Sequence, residues 1–185
     1  MAELEGRRVL VSVGGSVAAF KACEVVTELR RRGAEVRVAM TQAATRFVTP
    51  ALLQALSGRR VAADLWDADA SESEHGMSHL DLAAWCELHV VVAASADLIA
   101  RLALGLANDT VTATALASPA PLLVAPAMEG AMWQHPATQA NAATLSGRGA
   151  RLVGPVEGRL ASGDVDTGRM VEAVDIVAAI AQLLE

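Results

Sequence analysis

Arg7–Met40 reads RRVLVSVGGSVAAFKACEVVTELRRRGAEVRVAM, and the fold is decided in this stretch. The first seven residues form a short apolar run rich in β-branched side chains and stop at GGS, the pattern of a parallel strand buried on both faces. From Val17 to Arg32 the apolar positions Val17, Phe20, Val25 and Leu29 follow helical spacing, and Gly33 is placed to close that helix. AEVRVAM then reads as a second strand. Further along, CELHVVVAA, APLLVAP and ARLVGP read as a third, fourth and fifth strand, with helical segments between them. Strands alternating with helices predict an α/β protein, a three-layer, Rossmann-like, doubly wound parallel sheet with right-handed crossovers.

The chain has 185 residues and no internal repeat or linker-like segment, so a single domain over 1–185 is expected. Its longest apolar runs fall well short of a membrane span, and the acidic N-terminus MAELEGRR lacks the apolar core of a signal peptide. A net charge of −6 argues against a nucleic-acid partner, which needs a basic face to neutralise phosphates. LRRRGAEVR is the one basic cluster and reads as the solvated C-terminal end of a helix. With 3% aromatic residues and no tyrosine, base-stacking platforms are unexpected as well. Cys23 and Cys86 sit in apolar helical contexts without a spacing motif, which predicts buried, reduced thiols and a cytoplasmic setting.

Ligands of open α/β sheets bind beyond the carboxyl ends of the strands. The residues there are Gly14-Gly15-Ser16, Thr41, Ser95-Ala96-Asp97 and the AMEGAMW loop, all small, hydroxylic or flexible except for Glu129. Such loops allow close backbone approach to a phosphate at a helix N-terminus. VGGSVAAFK is neither a G-x-x-x-x-G-K-[ST] nor a G-x-G-x-x-G loop. Thr41 stands where a dinucleotide fold wants an acidic residue for the ribose hydroxyls, so a mononucleotide such as FMN suits these loops better than NAD.

Four blocks, VLVSVGGSVAAFKA, HLDLAAWCELHVVVAASADLIARLALGLANDTVT, PLLVAPAMEGAMWQHPATQ and GRLASGDVDTGRM, together resemble the flavin-dependent cysteine decarboxylases, and nearest among them the phosphopantothenoylcysteine decarboxylase branch of coenzyme A synthesis. The resemblance implies a flavodoxin-like fold, bound FMN at a subunit boundary, and a homotrimer or a dodecamer built from trimers. It also implies a small-molecule or peptide substrate with a terminal cysteine. FMN would oxidise the cysteinyl side chain to a thioaldehyde, easing loss of the neighbouring carboxylate as an enethiolate forms. His79 matches the family's active-site histidine, a base suited to proton removal near neutral pH. Gly15, Ser16, Thr41, Ser95, Ala96, Asp97 and Met128 match flavin-binding positions. Asp97 also suits a helix cap, and Phe47 is divided between flavin cover and core. A His75–His79 metal pair lacks a third ligand, so no metal site is expected.

Two positions depart from the family pattern. The family's P-A-M-N-x-x-M-W carries an asparagine that contacts the substrate carboxylate; this chain has Glu129. Two carboxylates at that distance repel unless they share a proton, so Glu129 is protonated, turned away, or faced with a different substrate. The branch's A-C-G is Ala161-Ser162-Gly163 here, and a serine hydroxyl is a poor proton donor beside a thiol. Three outcomes follow: a phosphopantothenoylcysteine-type decarboxylase, an oxidative peptidyl-cysteine decarboxylase that stops at the enethiol, or an FMN-binding protein without turnover. The chain ends at Glu185, so the ligase domain often fused to this family in bacteria is expected to be absent.

Overall fold

The structure, a computed structural model, describes residues 3–67 and 77–185. The acidic segment holding His75 lies outside the described residues. Six parallel strands, β1 (Arg8–Val13), β2 (Glu35–Met40), β3 (Val61–Ala62), β4 (Leu88–Ala94), β5 (Leu122–Pro126) and β6 (Arg151–Leu152), form one sheet in the order β3-β2-β1-β4-β5-β6. Without the two-residue edge strand β3 the order is that of a flavodoxin-like sheet. Strand order reverses between β1 and β4, and that is where a doubly wound sheet opens a crevice.

Alternation along the strands fills two cores. Val9, Val11 and Val13 of β1 face one layer, with α1 (Lys21–Arg31), α2 (Pro50–Ser57) and α8 (Ala173–Leu184). Leu10 faces the other, with α3 (Ser78–Trp85), α4 (Ala96–Leu104), α5 (Thr110–Ala117) and α7 (Pro136–Gly147). Leu29, Ile176 and Ile180 are fully buried, each contributing roughly 1.5–3 kcal/mol of transfer free energy. Among the described residues no helix is long and apolar enough to cross a membrane.

Several details differ from the sequence expectation. The helix expected from Val17 begins with a 3₁₀ turn, Val17–Phe20, and becomes α-helical only at Lys21. Ser16 holds that turn by accepting from the Ala18 amide. Val17 and Phe20 are therefore not core residues; each is more than half exposed. Cys86 is buried, as expected, but Cys23 is only half-buried. The arginine cluster at the end of α1 is solvated, as expected at Arg30 and Arg31, and is also hydrogen-bonded. Arg31 and Arg32 both bond Glu28, and Arg30 reaches carbonyls at the end of α2. The sheet also gains the short β3, and a separate antiparallel hairpin, β7 (Val156–Arg159) with β8 (Val165–Arg169), lies outside it.

Candidate active site

The carboxyl ends of β1 and β4 meet in a distorted stretch. The register of β4 against β5 shifts between Val91 and Ala94, and Ala93 takes φ 57°, a left-handed conformation that costs a non-glycine residue of order 1 kcal/mol or more. The Ala93 amide donates to the Met170 sulfur at 3.2 Å. The first turn after β1 crosses this point, because the Gly14 amide bonds the Val92 carbonyl. A Cβ at Gly14 would stand 2.3 Å from the Ala93 oxygen, so only glycine fits. Ser95 follows the distortion and caps α4, accepting from the Leu98 amide.

A groove of about 610 Å³ opens here, within the usual range for small-ligand sites. Its lining includes Gly15, Ser16, Ser95, Met128 and Glu129. Val17, Phe20 and Met132 add apolar surface that no core covers. A phosphate-bearing, partly apolar ligand suits this combination: backbone and hydroxyl groups at the start of an α-helix, beside uncovered methionine and aromatic side chains.

The hairpin forms one wall. The Met128 amide bonds the Gly168 carbonyl at 3.0 Å, and a Cβ at Gly168 would meet the Met128 oxygen at 2.3 Å. The Gln134 amide, at the end of α6 (Gly130–Gln134), donates to Asp166. At the hairpin's tip, Ser162 donates twice to Glu129: its backbone N–H to Oε1 at 3.2 Å and its hydroxyl to Oε2 at 2.9 Å. The two residues that depart from the family pattern are thus bonded to each other. Glu129 thus lines the groove with a fixed partner within the chain.

The groove's cations are mostly matched. Lys21, nearly buried, donates to Glu172 at 2.8 Å, and Arg169 bonds the other oxygen of the same carboxylate. Both cations hold the Glu172 carboxyl below its ordinary pKa, the Lys21 bond being the larger cause. Arg159 lines the groove and makes no ion pair among the described residues. A second depression of about 580 Å³ lies between α1, α2 and α8. Glu28 and Glu172 there are already paired with arginine or lysine, and no strand end opens into it.

Of the sequence candidates, Gly15, Ser16, Ser95, Met128 and Glu129 share the groove, and Ser162 joins them through Glu129. The others lie outside its lining. Thr41 is buried and its hydroxyl accepts from the Ala44 amide, 3.1 Å away within its own turn. Phe47 is half exposed in a 3₁₀ stretch beyond β2. Ala96 and Asp97 start α4, with Asp97 paired to Arg101. His79 is half-buried on the first turn of α3, and its Nδ1 is buried without a hydrogen-bond partner. Sequence reading missed Arg159, Leu160 and Met170. Their cues were the block GRLASGDVDTGRM that spans them and the glycines within the hairpin strands, Gly158 and Gly168.

A family model described as flavoprotein matches residues 1–185. Among curated relatives, the coenzyme A biosynthesis bifunctional protein CoaBC of Vibrio vulnificus (strain YJ016) is 45% identical over 185 residues, covering 100% of this chain and 45% of its own length. The chain thus spans less than half of that relative. Among solved structures, a cysteine-to-serine variant of PPC decarboxylase complexed with pantothenoylaminoethenethiol superposes with a TM-score of 0.84 at 30% identity, covering 97% of this chain and 99% of that one. The FMN-dependent cysteine decarboxylase SpaF gives 0.80 at 32% identity, covering 96% and 95%.

Proposed function

The chain belongs to the flavoprotein family, and from that premise we propose that it is an FMN-dependent decarboxylase of a terminal cysteinyl group, acting on 4′-phosphopantothenoylcysteine in coenzyme A synthesis. The observation that carries this reading is the groove where strand order reverses, walled by the Met128–Glu129 loop and the hairpin bearing Ser162. FMN fits that groove. The start of α4 at Ser95 and the Gly15–Ser16 turn would hold its phosphate and ribityl chain, and Met128 and Met132 would lie against its ring system. When bound, FMN accepts a hydride equivalent from the substrate's side chain and can return it. The residues of the chain orient the cysteinyl end, keep water from it and manage its protons.

His79 is assigned as the base that takes the substrate's thiol proton. It lies outside its own groove, and Met77 and Leu80 beside it expose apolar surface. Both facts suit a homo-oligomer, a trimer or a dodecamer of trimers, in which His79 serves the groove of a neighbouring copy. The 185 residues are taken as one flavoprotein unit, and two free thiols suit the cytoplasm.

One observation favours a second reading. Among the described residues no thiol lines the groove, and the Ser162 hydroxyl is committed to Glu129, so the reaction would end at an enethiol with the flavin left reduced. The test is anaerobic. The FMN-loaded protein is mixed with 4′-phosphopantothenoylcysteine while released CO₂ and the flavin absorbance are followed. CO₂ with only transient bleaching supports the first reading, and CO₂ with lasting bleaching the second. Bound flavin with neither CO₂ nor bleaching refutes both.

A further inference from the structure

We propose that Glu129 is the acid that supplies the proton consumed by decarboxylation, and that Ser162 is its positioning residue. This rests on the decarboxylase reading above. Removing CO₂ from a cysteinyl carboxylate consumes one proton. The carbon–carboxylate bond breaks, its electron pair stays on the α-carbon and spreads onto the oxidised sulfur, and a new C–H bond must form there. The hydride equivalent that bound FMN would supply belongs on the carbon bearing sulfur and brings no proton to the α-carbon. Only the proton at the α-carbon needs an outside source.

The proton that His79 takes from the thiol is needed again by the product thiolate, and the described residues of the groove offer few other donors. Its titratable lining residues are Lys21, Glu129, Arg159 and Arg169. Arginine does not release a proton under these conditions. The Lys21 ammonium is held by Glu172 and lies near the Met170 carbonyl. Ser162 is excluded by its own bonds: its hydroxyl proton points to Glu129 Oε2, and its oxygen accepts from the Asp164 amide at 3.3 Å. Among the described residues Glu129 is the only carboxyl in the lining, and the two bonds from the hairpin tip hold it there.

A resting carboxylate must first gain the proton that it gives, and an anionic substrate provides the means. An anion drawn into so small a groove lies within a few ångströms of Glu129 and raises its proton affinity. The two bonds that Ser162 donates favour the carboxylate and must be outweighed by the anion, while most nearby charges are already paired. Arg169 and Lys21 share Glu172, and Asp166 accepts from the Gln134 amide and the Thr167 N–H. Asp164 lies at the hairpin tip, and Arg159, which has no ion pair among the described residues, draws the anion in. Substrate therefore binds together with a proton, and CO₂ loss leaves that proton beside the new carbanion. The O–H bond of Glu129 breaks, the C–H bond forms, and Glu129 returns to its carboxylate form.

The test uses FMN-loaded protein and two measurements. In the first, 4′-phosphopantothenoylserine, whose hydroxyl resists oxidation, is titrated calorimetrically at pH 7 in buffers of differing ionisation heat. Wild type takes up close to one proton more than Glu129→Gln. In the second, anaerobic turnover of 4′-phosphopantothenoylcysteine is analysed for thiol and enethiol products. Wild type gives the thiol. Glu129→Gln releases CO₂ in its first turnover but forms the thiol about 10²-fold more slowly, leaving enethiol and reduced flavin. Ser162→Ala keeps the proton uptake and still gives the thiol, slowed less than about tenfold. Equal proton uptake by wild type and Glu129→Gln overturns the proposal. So does thiol formed by Glu129→Gln at the wild-type rate. Should that variant not fold, a wild-type titration without proton uptake is enough to reject the proposal. A wild type that releases CO₂ but stops at the enethiol overturns it and leaves the decarboxylase reading standing. No CO₂ from wild type removes both.

Discussion

At the level of single residues, the sheet carries a buried histidine that no catalytic proposal needs. His89 of β4 is 1% exposed and shares a 2.7 Å hydrogen bond with the Ser12 hydroxyl of β1 through Nε2, while its Nδ1 has no partner. Burial alone lowers its pKa to about 4, so the folded protein holds the ring neutral where the unfolded chain, near 6.5, would protonate it. The unfolded state then binds the extra proton between those values, and stability falls as pH drops from about 6.5 towards 4. Urea unfolding at intervals across that range is expected to show a loss of roughly 3 kcal/mol assignable to this ring. His89→Gln, which has no such titration, is expected to flatten that part of the curve. An unchanged curve in the variant would assign the acid sensitivity elsewhere. Glu129 and Ser162 show a different kind of coupling: each departs from the family pattern, and each supplies the other's hydrogen bonds.

At the level of elements, α5 shows how a short helix is held by its ends. Asp109 caps it in a reciprocal box with Thr112, at 2.8 Å to the Thr112 amide, and also bonds Arg101 of α4. Asp109→Ala removes a cap and one partner of a partly buried ion pair, and is expected to cost about 1–3 kcal/mol. The urea midpoint should fall with no change in slope. The same scale explains what the sequence revealed. β1, β4 and β5 are mostly apolar runs between turn signals and β2, EVRVAM, alternates before ending apolar, so each was readable without coordinates. β6, two residues inside ARLVGP, was readable as well, whereas β3, also two residues, is too short to carry a pattern. The hairpin was unreadable for another reason. β7, VEGR, is mostly exposed, and β8, VDTGR, buries only Gly168, so neither shows a buried apolar face. Its position depends on contacts with the Met128–Glu129 loop, which lies far away in sequence. The site was legible to the same degree. Residues next to strand ends were found, and those brought in by the hairpin were found only where the family resemblance reached them.

At the level of the whole molecule, the described chain leaves apolar side chains on the α3–α5 pair without a partner. Met77, Leu80 and Leu116 are 50%, 45% and 63% exposed. Single exposed apolar residues are ordinary, but several on one packed pair of helices, close to a half-buried histidine with an unpaired nitrogen, suit an interface between copies. Leu80→Lys is expected to shift the protein towards monomer in light scattering after size exclusion. If the proposed sharing of His79 holds, it also slows turnover about 10²-fold while folding is unchanged. An unaltered oligomer would move the interface elsewhere on the surface. The hairpin also bears on how such a protein changes over generations. It pairs only with itself, adds no strand to the sheet, and yet supplies the groove with Arg159, Leu160, Ala161 and the partner of Glu129. Substitutions confined to residues 156–169 can therefore reshape this wall of the groove while the two cores that fold the chain stay untouched. A mutational library limited to those fourteen positions is accordingly the shortest route to a new substrate.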